Sequence, residues 1–226
     1  MQQRHHAPPN ELDFFPTPPW STRAFLKVLE ALDPRLAERA VWEPACGSGH
    51  MAAVLAEKFG TVIATDVFAH PWLAPCVPHL LRPVETSDFL AVDPTDCFPA
   101  DWIVTNPPFK TAVEFALLAL KAAKVGVALL VRTSWLEGAD RFDRLFRPHP
   151  PTAVVQYVER VPMTRGRWDP DASTATSYCW VVWVKSDATP TQFRWIPGGS
   201  RKRFSFAEDL VFAAKGDAPL FDGDGQ

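Results

Sequence analysis

Two short runs in this sequence carry residue types suited to chemistry at the edge of a sheet. The first is Glu43-Pro44-Ala45-Cys46-Gly47-Ser48-Gly49, between an apolar run at Ala40 to Trp42 and a helical pattern from Ser48 to Phe59. Glycines there let the backbone turn tightly and approach a ligand closely, and the helix that follows offers free N–H groups at its start. Taken alone, Gly47-Ser48-Gly49-His50-Met51-Ala52 also fits the dinucleotide fingerprint with Ala in the last place. Asp66 stands nineteen residues beyond Gly47, where a ribose-binding acid belongs. This run specifies a nucleoside-binding α/β fold and leaves the nucleoside open, a nicotinamide dinucleotide included. The second run is Asn106-Pro107-Pro108-Phe109, directly after the apolar pattern that ends at Thr105. Pro-Pro pairs recur at Pro8-Pro9, Pro18-Pro19 and Pro150-Pro151, so the pair alone says little. Its position says more: it falls at the carboxyl edge of a strand, where open α/β sheets bind ligands. A nicotinamide enzyme has no use for it.

The elements that must position these runs follow from periodicity and punctuation. A helix is predicted over Thr22 to Leu32, with Ser21 as N-cap and Asp33-Pro34 as its stop. Strands are predicted at Ala40 to Trp42, Thr61 to Thr65, Pro83 to Thr86, Asp101 to Thr105, Val125 to Arg132, Ala153 to Val158 and Tyr178 to Val184. Between them lie an amphipathic helix at Thr111 to Lys124 and a shorter one at Arg141 to Phe146. His70 to Pro83 is too rich in proline for more than short, broken helix. Strands alternating with helices indicate a doubly wound, mostly parallel, seven-stranded α/β sheet.

Both runs resemble motifs of the amino-methyltransferases that act on adenine in DNA. The signature of that family is Asn or Asp, Pro, Pro, then Tyr or Phe, and Asn106 to Phe109 matches all four places. Glu-Pro-Ala-Cys resembles the opening of the cofactor loop in the subgroup whose cofactor motif precedes the catalytic one. Phe15-Pro16-Thr17-Pro18 resembles that subgroup's amino-terminal cofactor element. The likeness covers Phe14 to about Arg132 and thins beyond it to small phage- or prophage-type members. It implies a class I Rossmann-like methyltransferase fold, S-adenosyl-L-methionine as cofactor, and methyl transfer to the exocyclic amino group of adenine.

The residue types suit that chemistry. Adenine's amino lone pair is delocalised into the ring, so the nitrogen is a poor nucleophile. The Asn106 side-chain carbonyl and the Pro107 backbone carbonyl can each accept one amino hydrogen, which favours a pyramidal nitrogen. Pro107 and Pro108 fix φ and remove competing donors, and Phe109 offers an apolar face to a base taken out of its stack. The resemblance implies further contacts: Asp66 with the ribose hydroxyls, Asp88 and Phe89 with the cofactor adenine, and Thr17 with its methionine end. Glu43 would lie beside the positive charge, and Ala45, Gly47 and Gly49 would form the loop that cradles the cofactor. The same chemistry on RNA adenine or on a protein glutamine amide is the alternative. A catalytically silent nucleic-acid-binding relative has no support, since every motif residue is present.

Composition bounds the rest. The 226 residues, 47% of them apolar, suffice for one α/β domain with a small addition. No apolar run approaches a membrane span, and Met1 to Asn10 lacks the apolar stretch of a secretory signal. Cys46, Cys76, Cys97 and Cys179 are scattered without metal-ligand spacing, so a reduced, cytoplasmic, metal-free protein is expected. The net charge of −3 does not mark a nucleic-acid binder. Between Arg160 and Arg203, however, Arg160, Arg165, Arg167, Lys185, Arg194, Arg201, Lys202 and Arg203 outweigh Asp169, Asp171 and Asp187 by a local charge of +5. Arg132, Arg165, Arg167 and Trp168 are the candidate contacts to nucleic acid. The expected organisation is an arm over 1–21, a catalytic domain over 22–188 with a recognition loop at 163–177, an appendage over 189–215, and a disordered tail at 216–226. DNA is the expected partner, RNA a lesser one, and the protein is expected to act as a monomer away from membranes.

Overall fold

The computed structural model describes residues 13–74, 79–80, 85–93, 98–185 and 190–213. His5, His6, Cys76, Cys97 and the tail at 216–226 lie outside them. The chain opens with an extended stretch at 13–18 and enters α1 (Pro19–Leu32). Proline at the first helical position loses nothing, because that N–H has no intrahelical acceptor. The helix therefore begins earlier than predicted, and Ser21 is not its N-cap: its hydroxyl instead donates back to the Pro18 carbonyl at 2.8 Å. Asp33 and Pro34 end it as expected, with the Asp33 N–H reaching the Leu29 carbonyl.

The strands are β1 (Ala40–Glu43), β2 (Thr61–Asp66), β3 (Glu85–Thr86), β4 (Trp102–Thr105), β5 (Gly126–Arg132), β6 (Ala153–Tyr157), β7 (Tyr178–Val184) and β8 (Gln192–Ile196). They form one eight-stranded sheet in the order β3-β2-β1-β4-β5-β7-β6-β8. From β3 to β5 every pairing is parallel, β7 runs antiparallel to both β5 and β6, and β8 lies parallel to β6. Central strands buried on both faces read as unbroken apolar runs, which is why Gly126–Arg132 and Tyr178–Val184 are so legible. Gly126 is required where it stands: a Cβ there would lie 2.5 Å from the Trp102 ring.

The sheet has one strand more than expected. Gln192–Ile196 alternates in period 2, but its outward residues are apolar: Phe193 and Trp195 are 57% and 60% exposed. That inversion, with Arg194 between them, hid a strand inside the presumed appendage. A short helix, α5 (Ser200–Phe204), and a 3-10 turn at Ala207–Phe212 follow. Arg23 of α1 holds the latter by two bonds to Asp209, at 2.8 and 2.7 Å.

On one face of the sheet α1 and α2 (His50–Leu55) cover Val41, Val62, Trp102 and Trp180. The other face is covered by α3 (Ala112–Ala122) over Trp42, Ile103 and Leu129, with the one-turn helix α4 (Ala139–Arg141) and a π-helical segment at Phe142–Phe146 alongside. α2 starts two residues later than predicted because Gly49, at φ +87°, is left-handed and cannot be part of it, and it ends four residues earlier, with Ala56 as its C-cap. Among the described residues no helix is long and apolar enough to cross a membrane.

Candidate active site

The carboxyl ends of β1, β2, β4 and β5 reach one edge, and each delivers a side chain singled out above. β1 ends at Glu43, β2 at Asp66, β4 runs into Asn106, and β5 ends at Arg132. A cavity of about 270 Å³ lies over this edge. Its lining includes Thr17, Glu43, Ala45, Gly47, Asp66, Asp88, Phe89, Asn106 and Pro108. Gly49, Pro107 and Phe109 do not line it.

The glycine loop is fastened from beneath. Cys46 N–H donates to the Thr65 carbonyl at 3.0 Å, and Gly47 N–H donates to Asp66 Oδ2 at 2.8 Å. The second Asp66 oxygen accepts from Phe68 N–H at 3.0 Å. Asp66 thus shapes the loop as well as facing the cavity, a task its strand-end position did not disclose. Gly47, at φ +52°, leaves room for Phe14: a Cβ there would sit 2.5 Å from that ring. At Gly49 it would sit 2.6 Å from the Trp72 ring.

Charge and polarity in the cavity are unbalanced toward acceptors. Glu43 is buried and its Oε2 has no hydrogen-bond partner. Burial, reinforced by the neighbouring Asp66, holds its carboxyl well above the usual range. Burial also raises Asp66, against the pull of the Phe68 and Gly47 N–H groups. His50 is buried with Nδ1 unpartnered and Nε2 at 3.3 Å from the Phe212 carbonyl, and burial pushes its pKa down to about 4. Asn106 Oδ1 is likewise buried and unpartnered.

The amino-terminal arm reaches into this edge. Asn106 Nδ2 donates to the Phe15 carbonyl at 3.0 Å and to Thr17 Oγ1 at 3.2 Å, with Met163 Sδ at 3.5 Å. Asp13 Oδ2 accepts from Phe109 N–H at 3.1 Å, and the Phe15 and Phe109 rings lie 5.1 Å apart. Phe14 stacks on His70 at 4.3 Å, and its carbonyl accepts from Gly166 N–H at 2.9 Å. Asp13 and His70 carry no motif, Phe14 and His50 occupy no defining place in one, and their part in the site was invisible in the sequence. Each acts by a contact made through the fold.

The loop at 163–177 therefore does stand beside the cavity, through Met163 and Gly166. Arg165 and Arg167 are exposed on it, with Arg167 3.7 Å from Asp169. Trp168 is different: it is buried with Ala74 and Phe212, so its ring is committed to packing and not offered to a base. Arg132 is exposed, and its guanidinium lies 4.1 Å above the Phe109 ring. Asp88 is exposed and caps the turn at Phe89–Ala91 through Leu90 N–H, while Phe89 is buried edge-on against Trp42. 

No family model and no curated protein matches the sequence. Solved structures match the fold. A type I restriction-modification system methyltransferase subunit from Streptococcus thermophilus superposes with a TM-score of 0.62 at 12% identity, over 79% of this chain and 46% of that one. A modification subunit of an enzyme assigned to type I restriction, from Vibrio vulnificus, gives 0.61 at 16%, over 87% and 51%. A protein assigned as a class I S-adenosylmethionine-dependent methyltransferase from Listeria monocytogenes gives 0.61 at 12%, over 90% and 70%. The chain has a class I methyltransferase fold. It spans about half the length of the two restriction-modification subunits.

Proposed function

We propose that this protein transfers a methyl group from S-adenosyl-L-methionine to the exocyclic amino group of adenine in DNA. The observation that carries the reading is that two side chains lining one cavity, Glu43 and Asn106, each hold a buried acceptor, Oε2 and Oδ1, that no hydrogen bond satisfies. Leaving such atoms unsatisfied is costly in a folded protein unless a ligand completes them. Turned toward the cavity that their side chains line, these acceptors would suit a cation near the glycine loop and an N–H donor near Asn106. The names of the fold neighbours from Streptococcus thermophilus and Vibrio vulnificus point the same way.

The donor fits the residues present. Glu43 would face its positive charge, the loop of Ala45, Gly47 and Gly49 would follow its backbone, and Asp66 would take the ribose hydroxyls. Asp88 and Phe89 would meet its adenine. When bound, S-adenosylmethionine supplies an electrophilic methyl on a sulfonium. The remaining work belongs to the chain. Asn106 Oδ1 accepts one hydrogen of the target amine and the Pro107 carbonyl accepts the other, which draws the lone pair out of conjugation and aims it. Pro108 keeps the carbonyls pre-organised, and Phe109, off the cavity wall with Arg132 4.1 Å above its ring, would meet the displaced base only with Arg132 moved aside. Positioning and fixed dipoles carry the acceleration, with no strong base required.

Arg132, Arg165 and Arg167 would meet target phosphates from the mouth of the site. Losing one such contact should reduce the slope of log affinity against log salt by roughly 0.9. Trp168 drops out of this surface because it is buried. The decisive experiment incubates the protein with methyl-labelled S-adenosylmethionine and DNA, RNA or protein in parallel, then digests each product. Label in N6-methyladenine from DNA is expected. Label confined to RNA, or to a glutamine amide, would move the substrate, and no label in any arm would end the reading.

A further inference from the structure

We propose that the amino-terminal arm decides which end of the Asn106 carboxamide is left to accept, so that this chain requires asparagine, and not merely an acceptor, at position 106. The inference rests on the methyl-transfer reading above and goes past it, since it assigns Thr17 and the Phe15 carbonyl as positioning groups for Asn106.

The two ends of a carboxamide are nearly the same size, and only their hydrogen-bond partners tell them apart. A backbone carbonyl can only accept. The Phe15 carbonyl, 3.0 Å from the Asn106 amide nitrogen, therefore admits the NH₂ end and rejects the oxygen. Thr17 Oγ1, at 3.2 Å, takes a second hydrogen from the same nitrogen. With both amide hydrogens committed to the arm, Oδ1 is the end that remains, buried and without a partner on a cavity-lining side chain. Turned the other way, the amide would present donors to an amine that also donates.

The arm can impose this because it is itself fixed. Phe14 packs over Gly47 and stacks on His70, its carbonyl is held by Gly166, and Asp13 binds the Phe109 N–H. Thr17 is buried and leads directly into Pro18 and α1. An aspartate at 106 would then turn a carboxylate oxygen toward the Phe15 carbonyl, acceptor against acceptor, in a site that already buries Glu43 and Asp66. The family signature that this sequence resembles admits either residue; the arm of this chain does not.

Asn106→Asp should lose methyl transfer by on the order of a hundredfold or more, although it keeps an acceptor at the right place. Thr17→Val, which removes the hydroxyl at nearly constant shape, should lower kcat about tenfold, a larger change than any in the Kd for S-adenosylmethionine, and Thr17→Ser should restore it. A second readout needs no activity. In ¹⁵N-labelled protein the Asn106 side-chain amide protons, assigned by their loss in Asn106→Asp, should exchange slowly in the wild type and in Thr17→Ser but faster in Thr17→Val. Thermal melts establish that each variant is folded. Transfer by Asn106→Asp within a few-fold of wild type would overturn the proposal. So would Thr17→Val that loses cofactor affinity with kcat unchanged, which would give Thr17 to the cofactor. If the wild type methylates nothing, the methyl-transfer reading fails on its own, and the amide exchange still decides whether the arm holds Asn106.

Discussion

The body of the sheet and its carboxyl edge treat buried polar atoms in opposite ways. Within the body they are spent on each other. The Tyr157 hydroxyl donates to the Ser21 carbonyl at 2.7 Å and accepts from Trp180 Nε1 at 2.7 Å. Trp102 Nε1 reaches Asp33 at 3.0 Å, Trp42 Nε1 reaches Thr65 at 2.9 Å, and Trp183 Nε1 reaches the His149 carbonyl at 2.9 Å. At the edge, Glu43, His50 and Asn106 each keep a buried atom without a partner, and all three residues line the cavity. Elsewhere among the described residues Thr22, Thr105 and Arg141 supply the only other such atoms. Satisfied polar groups stabilise and specify a fold; unsatisfied ones are tolerated where a ligand completes them. Three of the six such atoms among the described residues fall on residues of this one cavity, so the contrast marks the edge without dividing it completely from the scaffold.

The sharpest break of that contrast is at Asn106. Asn106→Ala should lower methyl transfer by roughly a hundred- to a thousandfold, the scale of deleting one pre-organised transition-state contact. Cofactor binding, measured by calorimetry, should stay within a few-fold. Normal turnover in single-cycle assays would mean that the unpartnered carbonyl is not what acts on the amine.

Glu43 tests the other end of the cavity and carries a sign that can be worked out. Burial, with Asp66 beside it, holds its folded carboxyl well above the ordinary range. An acid with a raised folded pKa favours the fold most below its unfolded pKa, and that contribution is lost as pH rises through the raised value. Glu43→Gln should therefore raise the urea midpoint of the ligand-free protein at pH 8 and flatten its decline from acidic pH. The same change removes the anion from a cation's site, so the Kd for S-adenosylmethionine should rise by on the order of tenfold. A variant that is less stable at pH 8, or that binds as tightly as wild type, would show that Glu43 belongs with the satisfied scaffold after all.

How far the sequence disclosed these two regions differs as well. The edge was legible because its residues are local: Glu43 to Gly49 and Asn106 to Phe109 are consecutive in the chain, and strand-then-turn patterning placed both at strand ends. Central strands such as Gly126–Arg132 and Tyr178–Val184 were legible because burial on both faces leaves an unbroken apolar run. What was hidden depends on contacts over long sequence distance. Nothing near Asn106 announces that Phe15 and Thr17, some ninety residues away, hold its amide. Trp168 read as an exposed stacking residue because its neighbours are polar, and it is residues far from it in the chain, Ala74 and Phe212, that bury it. The eighth strand was hidden by its own surface, since Phe193 and Trp195 face outward where a strand's polar residues are expected.

The smallest predicted effect lies in the body of the sheet and should leave catalysis alone. Tyr157→Phe keeps the ring, which packs at 5.9 Å from Trp20, but removes the hydroxyl that serves two partners. The Trp180 indole N–H is then buried without its acceptor, at a cost of about 1–3 kcal/mol, while the Ser21 carbonyl keeps its place in α1. The hydroxyl is fully enclosed, and burial pushes its pKa up, so it stays protonated and supplies no charge to the edge. Urea denaturation should therefore show a lower midpoint with an unchanged m-value, while kcat per folded molecule and cofactor affinity match wild type. Tyr157 lies at the end of β6, near the same edge as Arg132, so the result is not trivial. If Tyr157→Phe impaired turnover at full stability, the boundary between scaffold and site would have to be redrawn to include the β6–β7 pair, and partner satisfaction would no longer tell the two regions apart.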